Sequence, residues 1–509
     1  MGTLNTKRIA SNTLFLYTRM LILMFVAFYT SRVLLKELGV NDFGLYGIVG
    51  GVVAIFSSLR GLFATATQRF LNFEMGKGNM ERLNTIFNIS LLINIIICII
   101  FFAFAEIIGL WLLEHKLVIN PDRMEAARWV FHFSVLAALI SILTIPFDAL
   151  IIAHERMSFF AYVSILDASL KLGIIFILPL FSIDKLKLYA VLIVTVSLII
   201  RSIYSFYCKR NFPECKYKFC WDKKLFKEMG TFAGWNFAGN LAFALVNEGL
   251  NILLNLFGGV VANAARSIAY QLKGAISLIL SNIMLAIDPQ ATQLYAQGET
   301  KKFYYLLFTA SKIVAFMYLV IAFPLYFYVE EVLRIWLDDT PQYASLFIQS
   351  ILIYLTVRSF HEPINAFFFT IGKLKEFQVT ELIVLSLPLP LSFMVLKLSD
   401  LPLQSIFYIM AIIEFINLAT ILYWAKRVGG FEIKQYICQV IKPYLLTFVC
   451  SSIILYGIQF YFHTLQPTND FYAILPILIS VLVFMIIVFF VGFSSKEKNA
   501  IITTLRKKL

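Results

Sequence analysis

Long apolar stretches alternate with short polar segments along the whole chain. An apolar stretch of about 20 residues predicts a membrane-spanning helix, because the hydrocarbon core offers no hydrogen-bonding partners to bare backbone groups. The pattern therefore predicts an all-α polytopic membrane protein with about 14 transmembrane helices. The predicted spans lie near residues 13–36, 41–65, 83–113, 124–152, 159–181, 188–208, 229–256, 260–288, 303–329, 343–370, 377–397, 403–425, 441–462 and 471–493.

The composition supports a membrane protein and excludes two other classes. Hydrophobic residues make up 60% of the 509 residues and charged residues only 14%, against about 45–50% apolar and about 25% charged in soluble proteins. A nucleic-acid-binding protein and a secreted disulfide-rich protein are therefore excluded. The formal net charge of +13 is therefore attributed to the excess of Lys and Arg in cytoplasmic loops before it is attributed to nucleic-acid binding.

Lysine and arginine divide unequally between the two sides of the predicted membrane. The termini and the loops on their side carry 26 of these residues, and the loops on the opposite side carry 7. Because positive charge accumulates in cytoplasmic loops, both termini are predicted to be cytoplasmic. Cys215 and Cys220, which lie in the basic loop 209–228, are predicted to be on the same side.

Two short motifs recur in the second half of the chain. Ala66-Thr67-Gln68 follows the second span and Ala291-Thr292-Gln293 follows the eighth. Further along each half, Pro146-Phe147-Asp148-Ala149 is similar to Pro363-Ile364-Asn365-Ala366. The recurrence predicts two parallel six-helix lobes, an arrangement typical of transporters with a substrate site between the halves. The predicted regions are 1–208 for the first lobe, 209–426 for the basic loop and the second lobe, and 427–509 for two further spans and a cytoplasmic tail.

A motif containing glycine marks the junction of the first two spans. Its residues are Leu38-Gly39-x-x-Asp42-Phe43-Gly44-x-Tyr46, followed by Gly61 and Arg69. The motif resembles the signature of bacterial polysaccharide and O-antigen flippases, which belong to the multidrug, oligosaccharidyl-lipid and polysaccharide (MOP) exporter superfamily. Gly39 and Gly44 are also typical of an interfacial turn and a close helix contact.

The resemblance implies both a function and its partners. A protein of this family is expected to translocate an undecaprenyl-pyrophosphate-linked oligosaccharide, an O-antigen or capsule repeat unit, across the bacterial inner membrane by alternating access. The resemblance implies no enzymatic activity and no cofactor, with coupling to Na⁺ or H⁺ expected. The implied partners are the lipid-linked glycan, the lipid bilayer and polysaccharide-assembly proteins, with no nucleic acid.

Basic residues inside the predicted spans are candidates for binding the headgroup. A charge at a helix centre costs about 2.5–3.5 kcal/mol on insertion, and guanidinium binds phosphate oxygens bidentately. Arg19, Arg60 and Arg266 are therefore predicted to bind the pyrophosphate, with Arg32 and Lys273 as further members. The resemblance implies the same role, because peptidoglycan-precursor flippases place cavity arginines on spans 1, 2 and 8. Arg19, Arg60 and Arg266 lie on these same spans, although no aligned motif relates the positions. Snorkelling of Arg19 and Arg60 toward the cytoplasm is the alternative.

Acidic residues inside the second-half spans are candidates for binding a coupling cation. Glu248, near Asn251, lies in the middle of the seventh span, Glu381 begins the eleventh, and Glu414 lies in the middle of the twelfth. Carboxylate and amide oxygens are ligands expected for Na⁺, and a buried glutamate can alternatively carry a proton. A purely structural hydrogen-bonding role for each glutamate is the other interpretation.

Two pairs of oppositely charged residues within the spans have a structural explanation. Asp167 and Lys171 stand four residues apart on one helix face, as do Arg358 and Glu362. Because residues at this spacing are neighbours on a helix surface, each pair is predicted to neutralise itself.

Two other functions stay open at the level of sequence. A multidrug exporter of the same superfamily would share the fold, although cationic drugs would favour acids where the first half of this chain is basic. A membrane polymerase or glycosyltransferase would need an extramembrane catalytic loop, for which Asp338-Asp339 in a short loop is the candidate. No phosphate-binding loop with a Gly-Lys-Ser/Thr ending is present, so ATP is not the direct energy source.

Overall fold

The computed structural model describes residues 6–499 except 58–66, 69, 72–73, 76–79, 155, 219–220, 372, 374, 465–469 and 496. All regular secondary structure in the described residues is helical. Ten of the helical stretches found in this part of the chain are long and apolar enough to cross a membrane. The predicted all-α polytopic membrane fold is therefore confirmed.

The helices follow the predicted spans closely. In chain order they are α1 (Thr6–Ser57), α2 (Met80–Phe104), α3 (Leu110–His115), α4 (Met124–Ile142), α5 (Ile145–Ala153), α6 (Met157–Ile177), α7 (Lys185–Asn211), α8 (Lys223–Ala296), α9 (Thr300–Phe327), α10 (Val329–Trp336), α11 (Ala344–Arg358), α12 (His361–Ile371), α13 (Lys375–Ser386), α14 (Pro388–Leu398), α15 (Ser405–Gly429), α16 (Ile433–Tyr436), α17 (Lys442–Thr464) and α18 (Asp470–Ile487). Short π-helical segments follow α2, α16 and α18 at Ala105–Gly109, Ile437–Ile441 and Val488–Gly492.

Two glycines separate predicted spans that otherwise run together. Gly39 interrupts α1 with φ 74° and ψ 168°, and Gly259 interrupts α8 with φ 65° and ψ −168°. Glycine has no Cβ and adopts positive φ at little cost, so each helix turns at the boundary that the hydrophobic pattern predicts. The same backbone conformation recurs 220 residues apart (259 − 39), which agrees with the predicted internal repeat.

Two prolines divide predicted single spans into two helices. α4 ends at Ile142 and α5 begins at Ile145, just before Pro146, while α11 ends at Arg358 and α12 begins two residues before Pro363. A proline donates no backbone N–H and its ring clashes with the carbonyl four residues earlier. The stretches near 124–152 and 343–370 are therefore broken helices, at equivalent places in the two halves.

Loops predicted on the same side of the membrane bond to one another. On the predicted outer side, Arg123 lies 2.9 Å from Asp42 and 2.7 Å from Asp184. On the predicted cytoplasmic side, Arg82 lies 3.1 Å from Asp222. The first half therefore has the alternating span directions that the charge distribution predicts.

The chain divides into two compact units, Met1–Ser267 and Ile268–Leu509. The boundary falls inside α8, eight residues beyond Gly259 (267 − 259), whereas the repeat places the boundary between lobes at residue 208. The division into lobes by the repeat therefore stays a prediction.

Candidate headgroup and coupling sites

The motif at the first helix junction stabilises the fold of the first unit. Asp42 accepts hydrogen bonds from the guanidinium of Arg123, which also bonds the carboxylate of Asp184. The ring of Tyr46 packs edge-on against Tyr189 with centroids 5.1 Å apart. These contacts engage Asp42 and Tyr46 of the motif within the first unit, while Gly61 and Arg69 lie outside the described residues.

Gly44 in the same motif permits a very close contact between helices. A Cβ atom at this position would overlap the carbonyl oxygen of Val260 and would lie 3.2 Å from the backbone nitrogen of Ala264. The second half of α1 therefore crosses the start of the helix that follows Gly259 at backbone distance. The close-contact interpretation of Gly44 is confirmed.

The five predicted headgroup residues have different positions in the structure. The side chain of Arg19 and the whole of Arg60 lie outside the described residues. Arg266 is buried, and its Nη2 donates a hydrogen bond to the backbone carbonyl of Asn247 at 2.9 Å. Arg32, on α1, is half-buried. The headgroup site stays a prediction, and Arg266 is already engaged within the first unit.

Lys273 has an aromatic environment in the second unit. Its Nζ lies 4.6 Å from the ring centre of Tyr270 and 4.9 Å from that of Tyr354. A cation between two ring faces is stabilised by their quadrupoles, by about 0.5–2 kcal/mol for each ring. These contacts give Lys273 a structural role beside its predicted role in headgroup binding.

Glu248 is held by asparagine amides in the first unit. Nδ2 of Asn247 lies 2.9 Å from Oε1 of Glu248, and Nδ2 of Asn251 lies 3.1 Å from Oε2. Oδ1 of Asn251 accepts a hydrogen bond from Asn263 at 2.8 Å. Amide N–H groups stabilise an ionised carboxylate without a cation, so the contacts favour the structural interpretation of Glu248 and Asn251. A Na⁺ ion would need both amides to turn their oxygens toward it.

Glu381 and Glu414 meet in a group that we call the His361 cluster, formed by the partly buried Arg358 and Glu381 and the buried His361 and Glu414. Nη1 of Arg358 lies 3.0 Å from Oε1 of Glu414 and 3.9 Å from Oε1 of Glu381. Nε2 of His361 lies 2.9 Å from Oε1 of Glu381, and its Nδ1 lies 3.3 Å from Oε1 of Glu414. The side chains of His361 and Glu414 are completely buried.

The structure confirms one predicted local ion pair and gives the other arginine a different partner. Nζ of Lys171 lies 2.8 Å from Oδ2 of Asp167, as the spacing predicts. Arg358 bonds Glu414, which is 56 residues away in sequence, and the side chain of Glu362 lies outside the described residues. The pairing of Arg358 with Glu362 therefore stays a prediction, and Glu414 is a partner of Arg358 that the spacing does not predict.

His361 is a site residue that the sequence reasoning missed. It stands two residues before the repeated motif Pro363-Ile364-Asn365-Ala366, and it is an ionisable residue within a predicted span. An ionisable group inside a membrane span marks a functional site by default. The sequence therefore carries a signal for His361, which lysine, arginine and acidic residues alone do not reveal.

Comparison with protein families identifies the chain. The model of the polysaccharide biosynthesis protein family matches residues 9–295, which is more than half of the 509 residues. The chain belongs to this family. The family match includes the motif at residues 38–46 and the predicted headgroup residues, while the His361 cluster lies beyond it. No curated protein matches the chain.

Solved structures share the fold of this family member. A lipid II flippase, MurJ, in an inward closed conformation is 15% identical with a TM-score of 0.70, covering 94% of this chain and 98% of its own. An inward-facing multidrug resistance MATE family transporter of the MOP superfamily is 13% identical with a TM-score of 0.69, covering 80% and 93%. A MOP superfamily transporter from Pyrococcus furiosus is 12% identical with a TM-score of 0.55, covering 80% and 95%. The chain has the fold of MOP superfamily transporters.

Proposed function

We propose that the protein is a flippase that moves an undecaprenyl-pyrophosphate-linked oligosaccharide, an O-antigen or capsule repeat unit, across the bacterial inner membrane. The observation that carries the proposal is membership of the polysaccharide biosynthesis protein family over residues 9–295. The mechanism is alternating access of the two halves, coupled to Na⁺ or H⁺. The partners are the lipid-linked glycan, the bilayer and polysaccharide-assembly proteins.

The extent of the structural similarity favours a lipid-linked substrate over a drug. The similarity to the lipid II flippase extends over 94% of this chain, and the similarity to the multidrug transporter over 80%. The basic residues within the first-half spans suit a pyrophosphate, because guanidinium matches phosphate oxygens in geometry and keeps its charge.

The short outer loops argue against a membrane polymerase or glycosyltransferase. Asp338 and Asp339 lie in the segment 337–343 between α10 and α11, where both are exposed. A segment of this length has no room for a catalytic subdomain. The paired acids are accounted for as a solvated turn before Pro341.

Replacement of Arg60 by alanine is expected to abolish surface glycan in cells while the protein remains in the membrane. Losing a charged hydrogen-bonding group costs about 1.5–3 kcal/mol, so flipping by purified Arg60→Ala in proteoliposomes should fall about 10- to 100-fold. Arg60→Lys should recover only part of the rate, because lysine lacks the bidentate fork. The measurement is transfer of a labelled undecaprenyl-pyrophosphate disaccharide between leaflets.

Arg128→Ala is the matched control for this experiment. Arg128 lies in a predicted span, is exposed, and pairs with Glu114 at 2.9 Å, so its loss should leave flipping within about twofold of wild type. Normal glycan display by Arg60→Ala at wild-type protein level would remove Arg60 from the site. Drug efflux by the purified protein without glycan flipping would identify a multidrug exporter instead.

The cytoplasmic location of the basic loop can be tested with single cysteines. Burial raises the pKa of the native Cys215 thiol to about 12, so Cys215 should react slowly with maleimide on either side. A chain without native cysteines that carries Lys218→Cys should be labelled by impermeant maleimide only in opened cells. Asp339→Cys, also exposed, should be labelled in intact spheroplasts. The reverse pattern would invert the orientation.

A further inference from the structure

His361 occupies the first position after a break in a membrane helix. α11 ends at Arg358 and α12 begins at His361, and the imidazole ring is completely buried. Each of its two ring nitrogens lies close to a glutamate oxygen, at 2.9 Å for Glu381 and 3.3 Å for Glu414. A buried imidazole placed between two carboxylates can be stabilised as an imidazolium ion.

Among the described members of the His361 cluster, the charges balance only when the ring is protonated. Arg358 faces the ring from α11, Glu381 from α13 and Glu414 from α15. On α9, which also packs against α12, Lys312 is bound by Glu497, and the Glu362 side chain on α12 itself lies outside the described residues. The described cluster carries one net negative charge with a neutral ring and none with an imidazolium, and a net charge is costly inside a membrane.

The hydrogen bonds around the ring also permit two protonation states. A neutral imidazole has one N–H group and an imidazolium has two. Nδ2 of Asn417 lies 3.2 Å from Nδ1 of His361, which suits the neutral ring with Nδ1 as acceptor. Oδ1 of Asn417 and Oε2 of Glu414 accept no hydrogen bond from the described residues, so acceptors are available for a second N–H group. The cluster can gain and lose one proton at His361.

Comparison of the two halves of the repeat indicates that the helix break itself does not depend on a charged residue. In the first half, Thr144 stands two residues before Pro146 as His361 stands before Pro363. The hydroxyl of Thr144 donates to the carbonyl of Ile140 at 2.8 Å, so an uncharged residue satisfies the same kind of break. The fold therefore does not require a histidine at position 361.

We propose that His361 is the proton-carrying residue of the transport cycle, so that the coupling ion is H⁺. The guanidinium of Arg358 already occupies the place of a cation beside Glu414, 3.0 Å from Oε1, so a Na⁺ ion there would have to bind next to a fixed positive charge. Loss of the proton leaves an excess negative charge between α12, α13 and α15 and favours their separation. A proton that binds more tightly in one of the two transport states, inward-facing or outward-facing, shifts the equilibrium between them. The transport part of this proposal rests on the proposed function, and proton binding by His361 does not.

Proton binding can be measured without any substrate. The full chain, labelled with ¹⁵N in its five histidine rings, is reconstituted in lipid nanodiscs, and ring nitrogen signals are recorded from about pH 5 to about pH 9. The signal that is missing from the His361→Gln variant belongs to His361. In the wild-type chain, this signal should change between the singly and the doubly protonated form of the ring within this pH range. A His361 signal that keeps one protonation state throughout would overturn the proposal. If His361→Gln does not fold, removing the other four histidines in turn assigns the same signal.

Coupling is measured in proteoliposomes with a labelled undecaprenyl-pyrophosphate disaccharide. With one proton exchanged per cycle, a pH difference of about 1 unit should shift the wild-type leaflet ratio about tenfold, and His361→Gln should give equal leaflets. His132→Gln is the matched control, because His132 is exposed and also pairs with a glutamate, Glu106, at 3.1 Å. This control should keep the wild-type response.

The outcomes separate this proposal from the proposed function. A tenfold response retained in His361→Gln, or a response to a Na⁺ gradient and none to pH, would overturn proton coupling at His361 while leaving a flippase. No movement of the lipid-linked disaccharide in any gradient would contradict the proposed function instead. In that case the nitrogen signals alone decide whether His361 binds an exchangeable proton.

Discussion

Lys312→Met is expected to cause one of the largest losses of stability of any single substitution in the second unit. Nζ of Lys312 lies 2.9 Å from both carboxylate oxygens of Glu497, and the two side chains are only 6% and 9% exposed. Removing one partner leaves a buried charge without its counter-ion, which costs about 3–5 kcal/mol. The measurement is the midpoint of thermal unfolding in detergent.

The double variant Lys312→Met/Glu497→Met tests whether the loss comes from an unpaired charge. Replacing both partners of a buried pair by apolar residues is often neutral, so the double variant should recover most of the midpoint. A double variant as unstable as Lys312→Met would mean that lysine packing, and not charge pairing, accounts for the loss.

Acid should weaken this ion pair in the wild-type protein. Burial raises the pKa of Glu497, but hydrogen bonds from Lys312 and Ser494 outweigh burial and hold the pKa below its usual value. A lowered folded-state pKa means that the contribution is present above the unfolded value of about 4.3 and is lost as the pH falls through the folded value. Above that range the pair should respond little to pH.

The sequence predicts the contacts of this fold that are local and fails for those that are distant. The turns at Gly39 and Gly259 could be predicted because apolar stretches end there, and Asp167–Lys171 because its spacing is one helical turn. Lys312 and Glu497 are 185 residues apart, so no helical period relates them. Their pairing depends on which helices become neighbours, and apolar periodicity within a membrane does not determine this.

The contacts of the candidate coupling residues also could not be predicted from the sequence alone. Glu381 and Glu414 could be predicted as acids within membrane spans from their positions in the sequence. Their partners could not, because Arg358 and His361 lie at either side of a helix break and contact acids on helices that are distant in sequence. The sequence therefore predicts where charges lie along the chain, while the tertiary structure determines which charges neutralise each other.

Gly44→Ala is expected to destabilise the first unit although it adds only one carbon atom. The new Cβ would overlap the carbonyl oxygen of Val260 and lie 2.8 Å from its carbonyl carbon. Both are backbone atoms and cannot move aside as a flexible side chain would. Overpacking of this kind costs about 1–3 kcal/mol, and the shift should also strain the adjacent Asp42–Arg123 contact. Folded protein recovered from membranes in detergent, and its unfolding midpoint, measure the effect.

Gly50→Ala is the matched control, on the same helix as Gly44. Among the described residues, a Cβ at Gly50 would meet no atom within 4 Å outside the adjacent backbone of its own helix, and alanine is favoured over glycine within a helix by about 1 kcal/mol. Gly50→Ala should therefore be as stable as wild type or more stable, and Gly44→Ala clearly less stable. Equal midpoints for the two variants would show that α1 and the helix after Gly259 separate easily at Val260. Gly44 in the motif at residues 38–46 would then have to be explained by something other than close helix packing.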